Sequence, residues 1–121
     1  MKHILVVDDS KAVHAFIESI LAERNLKRSH VYSGEEALAF FGKNQDVDLV
    51  LLDWEMPGIM GPETAKALRG LSYRGIVLMI TTRNHPDDIK HALSCGIDDF
   101  MMKPFTRDIL FSKIDALAGE I

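Results

Sequence analysis

Leu49-Val50-Leu51-Leu52-Asp53 sets four consecutive aliphatic residues directly before a carboxylate. A short apolar run without polar alternation has the length and character of a strand covered on both faces, as in the middle of a parallel sheet. Three other runs read the same way: Ile4 to Val7, Ile76 to Ile80 and Phe100 to Met102. All four are expected to be central strands. Arg28 to Tyr32 mixes polar residues with β-branched and aromatic ones, the pattern of an edge strand, and takes second place along the chain.

Between the runs the period changes to that of helices. Val13, Phe16, Ile17, Ile20 and Leu21 form one apolar stripe. Ser33 with Glu36 has the spacing of a capping box before Ala37, Leu38, Phe40 and Phe41, and Gly42 is expected to end that helix. Pro62 and Pro86 are placed to open the third and fourth helices, and Gly96 to stop the fourth. Thr106 is the expected N-cap of a last helix carrying Ile109, Leu110, Ile114 and Leu117. Five βα units predict an α/β fold with a parallel sheet and helices on both faces, because right-handed crossovers place them there.

Ligands on such sheets gather at the carboxyl ends of the strands, and the notable polar residues fall there. Asp8 and Asp9 follow the first strand, Asp53 the third, Thr81 and Thr82 the fourth, and Lys103 the fifth. Singly, each has an ordinary reading: acids fill loops and cap helices, threonines end strands and lysines cover surfaces. Together, three carboxylates would repel one another and raise their pKa values unless a cation neutralised them. Oxygen ligands suit Mg²⁺ or Mn²⁺, with room for a phosphoryl oxygen. The Lys103 ammonium can reach such a cluster, and the Thr81 hydroxyl can donate to the same oxygen.

Composition narrows the alternatives. At 121 residues, 47% hydrophobic and 26% charged, the chain is expected to form one globular unit over residues 1–121. Its net charge of -4 offers no basic field for direct nucleic-acid binding. One cysteine, Cys95, excludes an intrachain disulfide and fits a reducing, cytoplasmic setting. Asp8 and Asp9 interrupt the first apolar run far short of a signal peptide or membrane span.

Val6-Val7-Asp8-Asp9-Ser10, Leu51-Leu52-Asp53-Trp54-Glu55-Met56-Pro57, the Thr81 strand end and Gly96-Ile97-Asp98-Asp99-Phe100-Met101-Met102-Lys103-Pro104-Phe105 together resemble the response-regulator receivers of two-component signalling, chemotaxis regulators among them. The resemblance runs essentially end to end. It implies a flavodoxin-like (βα)5 fold with strand order 2-1-3-4-5. It further implies that Asp53 accepts a phosphoryl group, that Asp9 and Asp53 ligate the metal with the Glu55 backbone carbonyl, and that Asp8 acts largely through metal-bound water. Lys103 and Thr81 would hold the phosphoryl oxygens, Thr81 and Phe100 would form the switch pair, and Lys103-Pro104 would be cis. Glu55 and Arg83 would flank the path of attacking water and modulate the lifetime of the phosphorylated state. The implied partners are a histidine kinase or phosphotransfer protein and a downstream protein or output domain. Such a chain is a phosphoacceptor assisting its own phosphorylation and dephosphorylation, not a turnover enzyme.

Some residues depart from the pattern. Met60 stands where many relatives carry Asp before the glycine, so a polar loop contact is expected to be missing, and Thr82 is bulkier than the residue often found there. His85, His91 and Phe111 are candidates for an output surface. The rival function is a non-phosphorylated pseudo-receiver that keeps the fold as an interaction module, against which the intact acids, Thr81 and Lys103 argue. A dehalogenase-like phosphatase would separate the first-strand acids by one residue, and a flavodoxin-like electron carrier would not put Asp8 and Asp9 against a flavin phosphate.

Overall fold

A computed structural model describes residues 2–119, so the expected unit extends at both ends beyond the described residues. Among the described residues five strands alternate with five helices: β1 (His3–Val7), α1 (Lys11–Leu21), β2 (Lys27–Val31), α2 (Gly34–Lys43), β3 (Leu49–Asp53), α3 (Gly61–Gly70), β4 (Ile76–Thr81), α4 (Pro86–Ser94), β5 (Asp99–Met102) and α5 (Arg107–Ala118). The strands form one parallel sheet in the order β2-β1-β3-β4-β5. This is the doubly wound flavodoxin-like arrangement.

Strand periodicity divides the core into two layers. Leu5, Val7, Val50, Leu52, Val77 and Met79 face one side, against residues of α2, α3 and α4 such as Phe41, Leu68 and Ala92. Ile4, Val6, Leu49, Leu51, Leu78 and Ile80 face the other, against Ile17 and Leu21 of α1 and Leu110 and Ile114 of α5. Every residue of β1 and β3 is buried, as continuous apolar runs between two helical layers require.

Three expectations need correction. Phe100 to Met102 is not the central strand its apolar run suggests: as the strand order implied by the resemblance requires, β5 has β4 as its only neighbour among the described residues and is half-buried at the sheet edge. The second strand lies one residue earlier, at Lys27–Val31, because β1 supplies partners from His3 opposite Lys27 to Val7 opposite Val31. Gly42 does not end α2, which runs to Lys43 with Asn44 closing it by donating its N–H to the Phe40 carbonyl; the glycine sits exposed in the last turn.

The caps follow the sequence more closely. The Ser10, Ser33 and Thr106 hydroxyls accept from the backbone N–H groups of Val13, Glu36 and Ile109, satisfying donors that the first helical turn leaves free. His85 caps α4 through Nδ1, which accepts from the Asp87 N–H at 3.1 Å. Gly96 follows α4 at φ +103, a conformation that favours glycine.

Candidate functional site

Each residue of the candidate site is placed by the strand it ends. β1 carries Asp8 and Asp9, β3 closes on Asp53, β4 on Thr81, and Lys103 follows β5. The carboxylates of Asp8, Asp9 and Asp53 converge, with one oxygen from each lying within 4.8 Å of the others. Asp8 and Asp53 are buried, whereas Asp9 is exposed. Lys103 Nζ donates to Asp53 Oδ1 at 2.8 Å and lies 3.6 Å from Asp8 Oδ2. The Lys103-Pro104 peptide is cis.

The electrostatics follow from that packing. Burial, with Asp8 and Asp9 adding repulsion, pushes the Asp53 carboxyl from its ordinary 3.8 to about 6, although Lys103 pulls the other way. Burial works against the Lys103 ammonium, yet Asp53 and Asp8 together hold its pKa above the ordinary lysine value. One ammonium therefore does not neutralise three acids. Asp8 Oδ2 is buried without a hydrogen-bond partner among the described residues, and its Oδ1 accepts from the Ser10 N–H at 2.8 Å. A carboxylate oxygen left in that state suits a hard cation or its water, so the donor set fits Mg²⁺ or Mn²⁺.

Thr81 is buried, and its Oγ1 accepts from the Arg83 N–H at 2.8 Å. A hydroxyl that accepts through a lone pair keeps its proton for donation, here at the strand end next to Asp53. Phe100 is half-buried against the core, with the Lys113 ammonium 5.8 Å from its ring centroid. Glu55 and Arg83 are brought together: Arg83 Nε donates to Glu55 Oε1 at 2.7 Å, its Nη1 lies 3.6 Å from Asp88, and its guanidinium stands 4.8 Å from the Trp54 ring centroid.

Gly61 explains how the loop after Asp53 closes. A Cβ there would meet the Asp53 carbonyl oxygen at 2.5 Å and the Trp54 Cα at 2.9 Å, so the chain passes only because residue 61 has no side chain. Met60 forms no side-chain cap on α3 among the described residues, and the loop's polar tether comes from α2, where Glu35 Oε2 accepts from the Ile59 N–H at 3.2 Å. Thr82 is exposed and lines an apolar groove of about 470 Å³ with Val13, Phe16, Lys103 and Phe105. Phe16, expected on the buried stripe, is 46% exposed there. Phe111, a candidate for an output surface, is instead buried beneath Arg24 and Arg107.

One member of the site's surroundings goes unnoticed in the sequence. His14 occupies the buried face of α1, three residues before Ile17, and its Nε2 donates to the Asp8 carbonyl at 2.7 Å. A histidine at an apolar stripe position is the signal that marks it.

An acidic rim met by the Lys103 ammonium, at the carboxyl ends of a 2-1-3-4-5 sheet, defines a flavodoxin-like protein with a pocket whose acids fit a cation. Comparison with known proteins gives the family. The model of the response regulator receiver domain matches residues 4–115, and the chain belongs to that family. It is 32% identical to a chemotaxis protein CheY homolog of Campylobacter jejuni, covering 96% of this chain and 92% of that one. It is also 32% identical to the CAI-1 autoinducer sensor kinase/phosphatase CqsS of Vibrio cholerae, of whose length it spans 17%. Among solved structures, Vibrio cholerae CheY4 superposes with a TM-score of 0.91 at 28% identity, over 97% of this chain and 98% of that one. No described helix is long and apolar enough to cross a membrane.

Proposed function

We propose that this chain, as one receiver unit over residues 1–121, is a phosphorylation-controlled switch of a two-component pathway, with Asp53 as the acceptor. Its donor would be a histidine kinase or phosphotransfer protein and its target a downstream protein or output domain. The observation that carries the reading is the Lys103 ammonium 2.8 Å from Asp53 within a cluster of three carboxylates. Asp9, Asp53 and the Glu55 backbone carbonyl would hold Mg²⁺ or Mn²⁺, with Asp8 acting largely through a bound water. When bound, the ion supplies charge neutralisation between the acids and the incoming phosphoryl group.

The chain's own residues then have defined tasks. An Asp53 carboxylate oxygen attacks phosphorus while the bond from phosphorus to the donor breaks, and the leaving group keeps the bonding pair. Lys103 shifts toward the transferred oxygens as a point charge. The Thr81 hydroxyl donates its free proton to one of them, drawing β4 and its following loop inward, and the half-buried Phe100 repacks in response. Without a phenolic hydroxyl, Phe100 transmits this change through shape alone. Glu55 and Arg83, paired over the mouth, shield the acyl phosphate from water. Through Lys103 and the metal-holding acids the protein assists its own phosphorylation and dephosphorylation, with the Glu55–Arg83 pair slowing the second, in the cytoplasmic setting that a free Cys95 suits.

The test is intact mass after incubation with a small acyl phosphate. Addition of one phosphoryl group in Mg²⁺ but not in excess chelator is expected. No addition from either an acyl phosphate or a panel of phosphorylated histidine kinases would leave the pseudo-receiver reading in its place.

A further inference from the structure

Beside the acid rim runs a chain of hydrogen bonds that none of the tasks above uses. His14 is 4% exposed, and while its Nε2 faces the Asp8 carbonyl, its Nδ1 lies 2.7 Å from Nδ1 of His30 on β2. His30 Nε2 in turn lies 2.9 Å from Glu18 Oε1, and Arg28 Nε donates to both oxygens of the same carboxylate at 3.0 and 2.9 Å. The Tyr32 ring tilts over His14 with 4.3 Å between centroids. The Asp8 carbonyl and the Glu18 carboxylate only accept, so both outer ring nitrogens must carry hydrogens, and the Nδ1–Nδ1 link needs a third hydrogen shared between the two rings. His14 Nε2 is thereby fixed as a donor aimed at Asp8.

The effect on Asp8 is nearly complete immobilisation. Its N–H donates to the Val31 carbonyl at 3.3 Å, its carbonyl accepts from His14, and its Oδ1 accepts from the Ser10 N–H. Only Oδ2 is left, buried and unpartnered among the described residues, on the side where Lys103 stands 3.6 Å away. The Asp8 carbonyl also shares one planar peptide unit with the Asp9 nitrogen, so holding the oxygen sets the direction from which Asp9 departs.

We propose that His14 is a positioning residue for the acid rim: by donating Nε2–H to the Asp8 carbonyl, and being itself held by His30 and Glu18, it sets the Asp8–Asp9 peptide so that both carboxylates converge with Asp53. The inference rests on the metal-site reading above for its consequence, and on the hydrogen bonds alone for its geometry. Arg28 first and His30 after it hold the Glu18 carboxyl below its ordinary value against the opposing effect of burial, so the outer end of the chain is a charged anchor.

The experiment compares wild type with His14→Gln and His14→Met, two side chains of similar length of which only glutamine can donate. Mg²⁺ affinity is read from Trp54 fluorescence, and ring nitrogens and the Asp9 amide are read by NMR in metal-free protein. His14→Gln is expected within about twofold of wild type. His14→Met should bind Mg²⁺ roughly three- to tenfold more weakly, the scale of one lost orienting hydrogen bond. A methionine variant that binds as tightly as wild type, or a glutamine variant as weak as methionine, overturns the proposal. A wild type indifferent to Mg²⁺ at Trp54 and in its amide spectrum would sink the metal reading alone. The tether is then judged without metal: a bare Nε2 on His14, or an Asp9 amide that shifts equally in both variants, refutes it.

Discussion

The two ends of the sheet use aspartate in opposite ways. At the amino end, Asp48 Oδ2 accepts from the Lys2 and His3 N–H groups at 2.8 and 2.9 Å, and Asp98 Oδ2 accepts from Val77 N–H and from Arg69. Those carboxylates tie off backbone donors at strand starts, and their charge is met by the chain itself. At the carboxyl end, Asp8 keeps a buried oxygen without a partner among the described residues, and Asp53 is pushed to about 6 chiefly by burial. The same side chain is thus a fastener at one end and an unmet charge at the other. The proposed function sits at the end where the charge still has something to attract.

Exchanging the two kinds of aspartate should break the comparison most sharply in phosphoryl transfer. Asp53→Asn is expected to abolish incorporation from an acyl phosphate in Mg²⁺, whereas Asp48→Ala keeps it, with intact mass as the measurement. Labelling of Asp53→Asn at the wild-type rate would move the acceptor elsewhere.

Stability should respond in the reverse sense. In metal-free protein above pH 7, Asp53→Asn removes a buried charge and is expected to gain on the order of 2–3 kcal/mol. Asp48→Ala leaves two backbone donors unmet and should lose about 1–3 kcal/mol in urea unfolding. The folded-state value of Asp53 exceeds its ordinary 3.8, so the folded chain holds more protons between pH 3.8 and about 6. Its contribution therefore favours folding below that window and is lost as pH rises through it. Wild type should lose stability across this range relative to Asp53→Asn; parallel curves would mean Asp53 is already charged and satisfied.

Smaller effects sharpen the picture at the rim. Thr81→Ala should still be phosphorylated, but the ratio of partner affinities with and without phosphorylation is expected to shrink by roughly threefold or more, measured by calorimetry. An unchanged ratio removes Thr81 from the relay. The smallest effect concerns Glu55 and Arg83. Breaking this surface pair should speed loss of the phosphoryl group by less than about tenfold. Decay rates for Glu55→Gln, Arg83→Ala and the double mutant test it, since strictly additive effects would mean the two side chains act independently.

Much of the fold is legible in the sequence. Apolar runs ending in Asp8, Asp53, Thr81 and Lys103 announced both the sheet and its chemical end, because burial on two faces leaves a strand no polar position except its terminus. The edge status of β5 was not readable from its own residues, since a three-residue apolar run looks alike at the edge and in the centre; only the strand order implied by the resemblance placed it at the edge. Phe16 misled because helical spacing shows which face is apolar, not whether a neighbouring element reaches far enough to cover it. His14 escaped because its meaning lies in pairing with His30, sixteen residues away on another element.

The order in which the rim is encoded has a consequence for how the chain is made. All three carboxylates lie within the first 53 residues, and the ammonium that meets two of them is supplied by Lys103, fifty residues further on. A lengthening polypeptide read from its amino end therefore acquires β1, β2 and β3, with their full negative charge, before β5 exists to bring the lysine. Burial of these acids is expected to cost more while the lysine is missing, because burial and mutual repulsion both oppose the charge on Asp53. Arrival of the last βα unit is expected to relieve part of that repulsion, so the acids of the rim tie the stability of the early strands to a residue of the last one.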